Sequence, residues 1–133
     1  MKVLIIADDV NILSALEAKL SVLGVTVATS KSLASLSEII TFINIYQADH
    51  IITDLLFSRV NGFDLLRAIK EAQEESRVNI FVYTDLKDQE SRQRAINLGA
   101  NFYFTKNDLS LDQFIEKFKK IIMNKVKSKL IPK

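Results

Sequence analysis

The chain has no cysteine and a single proline among its 133 residues. Without cysteine it can form neither disulfides nor a thiolate metal site, which excludes a secreted disulfide-stabilised scaffold and is compatible with a reducing cytoplasm. Pro132 lies at the very end, and no glycine-rich or low-complexity linker divides the sequence. We therefore predict one cytoplasmic domain, because a chain of this length can bury a core of its own.

Long apolar runs are also missing. Uncharged stretches such as residues 20–30 and 39–48 fall short of the roughly 20 residues that a membrane-spanning helix needs. The apolar run at residues 3–7 is too short for a signal peptide and is followed at once by two aspartates. We therefore predict no membrane association.

Charge is nearly balanced, with 18 basic and 16 acidic residues, but it is unevenly placed. Seven lysines fall near the C-terminus: Lys117, Lys119, Lys120, Lys125, Lys127, Lys129 and Lys133. A solvated helix face explains them better than a nucleic-acid contact does. We predict a domain over residues 1–126 and a basic tail over 127–133.

Short apolar runs alternate with helical patterns along the chain. Predicted strands cover residues 3–7, 25–29, 49–54, 78–84 and 101–105, and the third and fourth helices cover about 62–75 and 88–98. Ser35 to Glu38 and Ser110 to Gln113 have the form of capping boxes that begin the second and fifth helices. The fourth helix has few apolar residues, so we expect it to pack weakly.

This alternation predicts an α/β fold, the flavodoxin-like doubly wound (βα)5 arrangement with parallel strand order 2-1-3-4-5. Ligands of such sheets bind at the carboxyl ends of the strands. Polar residues end the predicted strands at that edge: Asp8, Asp9, Asp54, Thr84 and Lys106. Each alone has an ordinary explanation, such as a helix cap or a packed threonine, but together they predict a functional site.

Three carboxylates at one edge require a counter-charge. Two unit charges about 4 Å apart repel by roughly 4 kcal/mol at a surface-like dielectric, so convergence of Asp8, Asp9 and Asp54 predicts a hard cation. We predict Mg²⁺, held by these carboxylates and the backbone carbonyl of Leu56. The groups suit phosphoryl transfer onto a carboxylate, with Asp54 as the nucleophile.

Two further residues complete this predicted site. The Lys106 ammonium would provide a second positive contact to the phosphoryl oxygens. The Thr84 hydroxyl would donate a hydrogen bond to a phosphoryl oxygen once one is present.

The spacing of these residues resembles the receiver domain of two-component response regulators, including the single-domain chemotaxis type. After the acidic pair come Asp54, Gly62 eight residues on, Thr84 thirty residues after Asp54, and Lys106 twenty-two residues later. The resemblance covers residues 2 to 125. It also places Tyr103 at the position of the family's switch aromatic.

The resemblance implies a signalling module that acts only on its own Asp54, rather than an enzyme with a separate substrate. A histidine kinase or a small acyl phosphate would donate the phosphoryl group. Thr84 would then move inward and Tyr103 would turn toward the core, changing the surface of helix four, strand five and helix five. A downstream protein target would read that surface. We expect no intrinsic DNA-binding domain, unless these residues are a piece of a longer regulator, and we expect a monomer or weak dimer.

Several positions depart from the family pattern. Asn107 follows Lys106 where proline is typical, which raises the question of whether the lysine reaches the site, because a cis bond before a non-proline residue costs about 2.5–4 kcal/mol. Asp85 adds a carboxylate after the hydroxyl position, where it would repel a phosphate or attract the cation. Leu56 and Leu86 would shield an aspartyl phosphate from water, so we predict slow self-dephosphorylation.

Two rival functions remain open at this stage. A pseudo-receiver would bind a partner without phosphorylation, because Asp85 and Asn107 obstruct the site. A magnesium-dependent phosphatase would need a second acid two residues after Asp54, where Leu56 stands. His50 is the only histidine, and we expect a packed imidazole rather than a phosphohistidine or a metal ligand.

Overall fold

The computed structural model describes residues 1–30, 35–73 and 78–130, with side chains described as far as residue 124. The strands are β1 (Lys2–Ile6), β2 (Thr26–Ser30), β3 (His50–Thr53), β4 (Asn79–Thr84) and β5 (Phe102–Thr105). The helices are α1 (Val10–Ser21), α2 (Leu36–Tyr46), α3 (Gly62–Ala72), α4 (Gln89–Asn97) and α5 (Leu111–Leu130). All strand pairs are parallel, in the order β2-β1-β3-β4-β5, which confirms the predicted fold and topology.

Local sequence signals account for where the helices begin. The Ser35 hydroxyl accepts a hydrogen bond from the Glu38 amide at 3.2 Å and donates to its carboxylate at 3.1 Å. Ser110 and Gln113 make reciprocal bonds of 3.2 and 2.9 Å before α5. Both predicted capping boxes are therefore confirmed. They satisfy amides that the first helical turn leaves without a partner.

Helix ends differ from the prediction in two places. The third helix ends at Ala72, and its predicted end near Glu75 lies outside the described residues. Helix α5 continues to Leu130, through the predicted boundary at residue 126. Residues 131–133 of the predicted tail lie outside the described residues, and the division into domain and tail stays a prediction.

The sheet separates two hydrophobic clusters. Helices α2, α3 and α4 cover an aliphatic cluster that includes Leu4 and Leu66. Helices α1 and α5 cover a cluster rich in aromatic rings, among them Phe81, Phe114 and Phe118, which are fully buried. Burying one such side chain stabilises the fold by about 1.5–3 kcal/mol. The sheet is therefore covered on both faces, as expected of a doubly wound fold.

His50 belongs to the aromatic side of the core. It is buried, and its ring meets Phe81 and Phe118 edge-on, with centroids 5.9 and 5.8 Å away. This position confirms the packed imidazole. In the described part of the chain, no helix is both long and apolar enough to cross a membrane.

Helix α4 is attached more weakly than the other helices. Its only buried side chain is Ala95, whereas α3 buries Leu65, Leu66 and Ile69. The expectation of weak packing is therefore confirmed. Helix α4 has correspondingly little apolar burial to hold it in one position.

Gly62 fixes the loop that follows β3 against the first turn of α3. A Cβ at residue 62 would collide with the Leu55 carbonyl oxygen and lie 2.5 Å from the Leu55 Cα. We predict that Gly62→Ala lowers the free energy of unfolding by about 3 kcal/mol, because backbone must move to relieve the overlap. Urea denaturation followed by circular dichroism measures this loss.

Gly24→Ala provides the matched control. A Cβ there meets nothing within 4 Å, and the cost comes only from its φ of +80°. We expect a loss of about 1 kcal/mol from that strain. Equal losses for the two variants would contradict the steric explanation at Gly62.

Candidate functional site

Backbone hydrogen bonds align the ends of four strands at one edge of the sheet. The Asp54 amide donates to the Ile6 carbonyl at 3.1 Å, which ties the end of β3 to the end of β1. The Lys106 amide donates to the Thr84 carbonyl at 2.8 Å, which ties the end of β5 to the end of β4. The predicted gathering of polar residues at this edge therefore rests on strand register.

Asp54 and Lys106 form an ion pair at the centre of this edge. Lys106 Nζ lies 2.9 Å from Asp54 Oδ2, and the side chains are only 19% and 11% exposed. The other carboxylate oxygen, Oδ1, accepts hydrogen bonds from the amides of Leu55 at 2.6 Å and Leu56 at 3.1 Å. Asp54 is thus held in one orientation by backbone and charge together.

Lys106 reaches the site although Asn107, rather than proline, follows it. No cis peptide bond occurs among residues 1–30, 35–73 and 78–130, so Lys106 is followed by a trans bond. Its ammonium nevertheless reaches Asp54. It passes 5.8 Å from the centroid of the Tyr83 ring, which stacks in turn on Phe114.

Asp8 has one carboxylate oxygen committed and one uncommitted. Its Oδ2 accepts a hydrogen bond from the Ser58 amide at 2.6 Å, in the loop after β3. Its Oδ1 is buried and has no hydrogen-bond partner within the described residues. A buried oxygen without a partner is costly and marks a place where a ligand is expected.

Asp9 does not join Asp8 and Asp54 in the predicted three-carboxylate cluster. It caps α1, where its Oδ1 accepts hydrogen bonds from the amides of Asn11 at 2.9 Å and Ile12 at 3.3 Å. Within the described ranges, no group of three or more histidine, cysteine, aspartate or glutamate side chains is arranged to hold a metal ion. Three convergent carboxylates are therefore not found in these ranges. The cap uses only Oδ1 of Asp9, and the role of Asp9 as a magnesium ligand stays a prediction.

The remaining oxygens still fit Mg²⁺. This ion usually takes one or two carboxylates and keeps several waters, so a three-carboxylate cage is unnecessary. Asp8 Oδ1 is a buried oxygen with no hydrogen-bond partner among the described residues, and Asp54 comes directly after β3, the strand that pairs with β1. The backbone carbonyl of Leu56 stays a predicted ligand.

Thr84 and Tyr103 are connected through the loop that follows β4. The Thr84 hydroxyl accepts a hydrogen bond from the Leu86 amide at 3.4 Å, and the Tyr103 hydroxyl donates to the Leu86 carbonyl at 2.8 Å. Tyr103 is 5% exposed, so it already lies inward in this structure. The inward position is thus compatible with an intact ion pair between Lys106 and Asp54.

Sequence reasoning missed Arg92 as a neighbour of this network. Its guanidinium carbon lies 5.0 Å from the Tyr103 ring centroid, and its Nη1 donates to the Tyr103 carbonyl at 3.4 Å. Arg92 stands out in the sequence only as a basic residue on a polar helix. No spacing signal links it to the site.

The residues proposed as modulators lie around the opening of the site. Asp85 is exposed, Leu56 is 47% exposed and Leu86 is half-buried. The pKa of Tyr83 is raised first by burial and then by the negative charge of Asp85. Shielding of an aspartyl phosphate by the two leucines stays a prediction.

The family model of the response regulator receiver domain matches residues 3–119. The chain belongs to the response regulator receiver family. This receiver domain is 28% identical over 105 residues to a probable transcriptional regulator ycf27 of Cyanophora paradoxa, and 30% identical over 105 residues to that of Porphyridium aerugineum. Each alignment covers 79% of this chain and 41% of the relative. The chain thus spans about two fifths of the length of these curated relatives.

Solved structures share the fold of this receiver domain. A two-component response regulator from Clostridium difficile superposes with a TM-score of 0.79 at 24% identity, covering 92% of this chain and 96% of that one. A CheY-like response regulator receiver domain protein from Methanospirillum hungatei superposes at 0.77 with 22% identity, covering 96% and 97%. At such identities the likeness establishes the fold alone.

The buried phenol of Tyr103 predicts a loss of stability at alkaline pH. Its pKa is raised first by burial and then by the charge of Asp88, while the Arg92 cation acts in the opposite direction. The pKa of Tyr103 in the folded protein therefore exceeds the unfolded value of about 10. The stability that the neutral phenol contributes is fully present below about pH 10 and is lost as the pH rises through the folded-state pKa.

We therefore compare the receiver domain with Tyr103→Phe. At pH 8 the variant should be less stable by about 1 kcal/mol, because it lacks the bond to the Leu86 carbonyl. At pH 11 the difference should shrink. Urea denaturation of both proteins at the two pH values tests this, since the other titrating groups cancel. A difference that is equal at both pH values would contradict it.

Proposed function

We propose that this receiver domain accepts a phosphoryl group on Asp54 from a histidine kinase or a small acyl phosphate and signals by changing its α4, β5 and α5 surface. The observation that carries the proposal is the largely buried ion pair between Lys106 Nζ and Asp54 Oδ2, 2.9 Å long, at the carboxyl edge of the sheet. A cation beside a carboxylate suits a step in which negative charge is delivered to that carboxylate.

The two oxygens of Asp54 have different surroundings, and this selects the attacking atom. Oδ1 accepts bonds from two backbone amides, whereas Oδ2 is bound, among the described residues, by the Lys106 ammonium alone. We assign Oδ2 as the nucleophile. As the bond from Oδ2 to phosphorus forms, the bond from phosphorus to the donor breaks and its electron pair leaves with the donor.

The neighbouring residues stabilise the product. Lys106 can transfer its hydrogen bond from Oδ2 to a phosphoryl oxygen, and the Thr84 hydroxyl stands on the adjacent strand to donate another. Asp8 Oδ1 and Asp54 would hold Mg²⁺, with the Leu56 carbonyl as a further oxygen ligand. When bound, the ion neutralises negative charge on the phosphoryl oxygens.

The response reaches α4 through the loop after β4. The hydrogen bonds of Leu86 join Thr84 to Tyr103, and Tyr103 lies on β5 against α4. Because α4 buries little, a small change at Tyr103 can move it. A downstream protein that contacts α4, β5 and α5 would sense this change. The curated relatives are named transcriptional regulators, so control of transcription is one output that fits.

The rival functions receive less support. Asp85 is exposed rather than placed between Asp54 and Lys106, and the trans bond before Asn107 leaves the lysine in contact with the acceptor. These observations weigh against a pseudo-receiver. The phosphatase reading lacks its second acid, because Leu56 occupies that position.

Phosphorylation of one residue is the direct test. After treatment with acetyl phosphate and Mg²⁺, mass spectrometry should find one added phosphoryl group on Asp54. The group should be absent from Asp54→Asn, since an amide is a poor nucleophile, and present in the matched variant Asp85→Asn. An unmodified wild-type protein with both acetyl phosphate and a panel of phosphorylated histidine kinases would favour the pseudo-receiver.

Metal binding is tested separately. We predict that Asp8→Asn weakens Mg²⁺ binding, measured by calorimetry, by at least about 10-fold, because even residues behind metal ligands cost that much. Asp64→Asn is the control: Asp64 is exposed on α3 and pairs with Arg67 at 3.2 Å. Equal affinity in the wild-type protein and Asp8→Asn would remove Asp8 from the proposed site.

A further inference from the structure

We infer that Arg92 is the positioning residue that couples the Thr84 end of the site to α4, by holding Tyr103 inward against that helix. The inference rests on the proposed function for its signalling role. Its structural part, the contact between Arg92 and Tyr103, stands without phosphorylation.

A continuous set of contacts runs from the site to the helix. It begins at the Thr84 hydroxyl, passes through the amide and carbonyl of Leu86, and reaches the Tyr103 hydroxyl over bonds of 3.4 and 2.8 Å. The guanidinium of Arg92 then lies over the other part of Tyr103, 5.0 Å from its ring centroid, and also donates to its carbonyl at 3.4 Å. Arg92 therefore provides a charged contact between α4 and Tyr103.

Helix α4 depends on such contacts because its apolar stripe is nearly absent. Ala95 is its only buried side chain. Arg92 contacts Tyr103 on the β5 side, and Arg94 lies over the Phe63 ring on the α3 side, with a distance of 4.2 Å. Two arginine and aromatic pairs thus hold the helix from opposite sides.

The two arginines differ in what their aromatic partners touch. Tyr103 is bonded to the loop that carries Thr84, whereas Phe63 lies in the first turn of α3. Both pairs hold α4, but of the two arginines Arg92 is the one that contacts Tyr103. Arginine suits this role because its planar group stacks on a ring while it donates hydrogen bonds, which lysine cannot do in the same way.

The proposed test compares Arg92→Gln with Arg94→Gln by backbone and side-chain NMR. Beryllofluoride with Mg²⁺ serves as the stand-in for the phosphoryl group. In the wild-type protein and Arg94→Gln, we expect shifts at Thr84, at Leu86 and along α4 at Ser91 and Ala95. In Arg92→Gln, the shifts at Thr84 and Leu86 should persist and those on α4 should be lost. Arg92→Lys should behave like Arg92→Gln if stacking, rather than charge alone, carries the coupling.

A second measurement needs no phosphoryl mimic. The ring current of Tyr103 should displace the side-chain signals of Arg92 in the free protein, and this displacement should survive in Tyr103→Phe and disappear in Tyr103→Leu. Circular dichroism checks that each variant is folded.

The outcomes separate the inference from the proposed function. Equal loss of α4 shifts in Arg92→Gln and Arg94→Gln would mean general loosening of the helix and would overturn the inference. Retained α4 shifts in Arg92→Gln would overturn it as well. If beryllofluoride causes no shifts even in the wild-type protein, the proposed function fails, and the ring-current measurement alone decides whether Arg92 holds Tyr103.

Discussion

The contact between Lys106 and Asp54 is the interaction on which the rest of the site depends. It joins the end of β5 to the end of β3 across β4, so it can form only if all three strands end at the same level. The backbone bond from the Lys106 amide to the Thr84 carbonyl maintains that level. With both side chains largely buried, losing one partner would leave the other charge without compensation, which is strongly destabilising in protein interiors.

The same constraint explains how the site can be both stable and reactive. Asp54 is fixed through Oδ1 by backbone amides that belong to its own loop, while Oδ2 faces the ammonium of Lys106. The bonds to Oδ1 fix the orientation of the carboxylate, and Oδ2 can exchange its hydrogen-bond partner. Asp8 contributes a buried oxygen that has no hydrogen-bond partner in residues 1–30, 35–73 and 78–124, and such burial costs free energy.

Much of this arrangement follows from the sequence, because spacing and strand patterns are local properties. The order of the sheet, the two capping boxes and the shared edge of Asp54, Thr84 and Lys106 were predicted and are confirmed. Asp9 was different: an aspartate directly before a helix can cap it, bind a metal or do both, and only the structure shows that its Oδ1 caps α1. The predicted bounds of the first strand were also wrong by one residue, since β1 spans Lys2–Ile6 rather than residues 3–7.

Contacts between distant segments could not be predicted in this way. The pairing of Arg92 with Tyr103 depends on how α4 is placed against β5, and α4 carries almost no apolar pattern that would fix its rotation. The inward position of Tyr103 depends on the path of the loop at Leu86, which the sequence does not encode as a recognisable turn. Lys106 contacts Asp54 despite Asn107 for the same reason, because tertiary structure rather than the adjacent residue positions its side chain.

The two faces of the sheet differ in how firmly their helices are packed. On the side of α1 and α5, rings such as Phe81, Phe114 and Phe118 interlock at centroid separations of 4.7–6.2 Å and leave little room for displacement. On the other side, α4 buries only Ala95 and makes arginine–aromatic contacts through Arg92 and Arg94. We therefore expect a displacement that starts at the carboxyl edge to be taken up by α4 rather than by the closely packed face of α1 and α5.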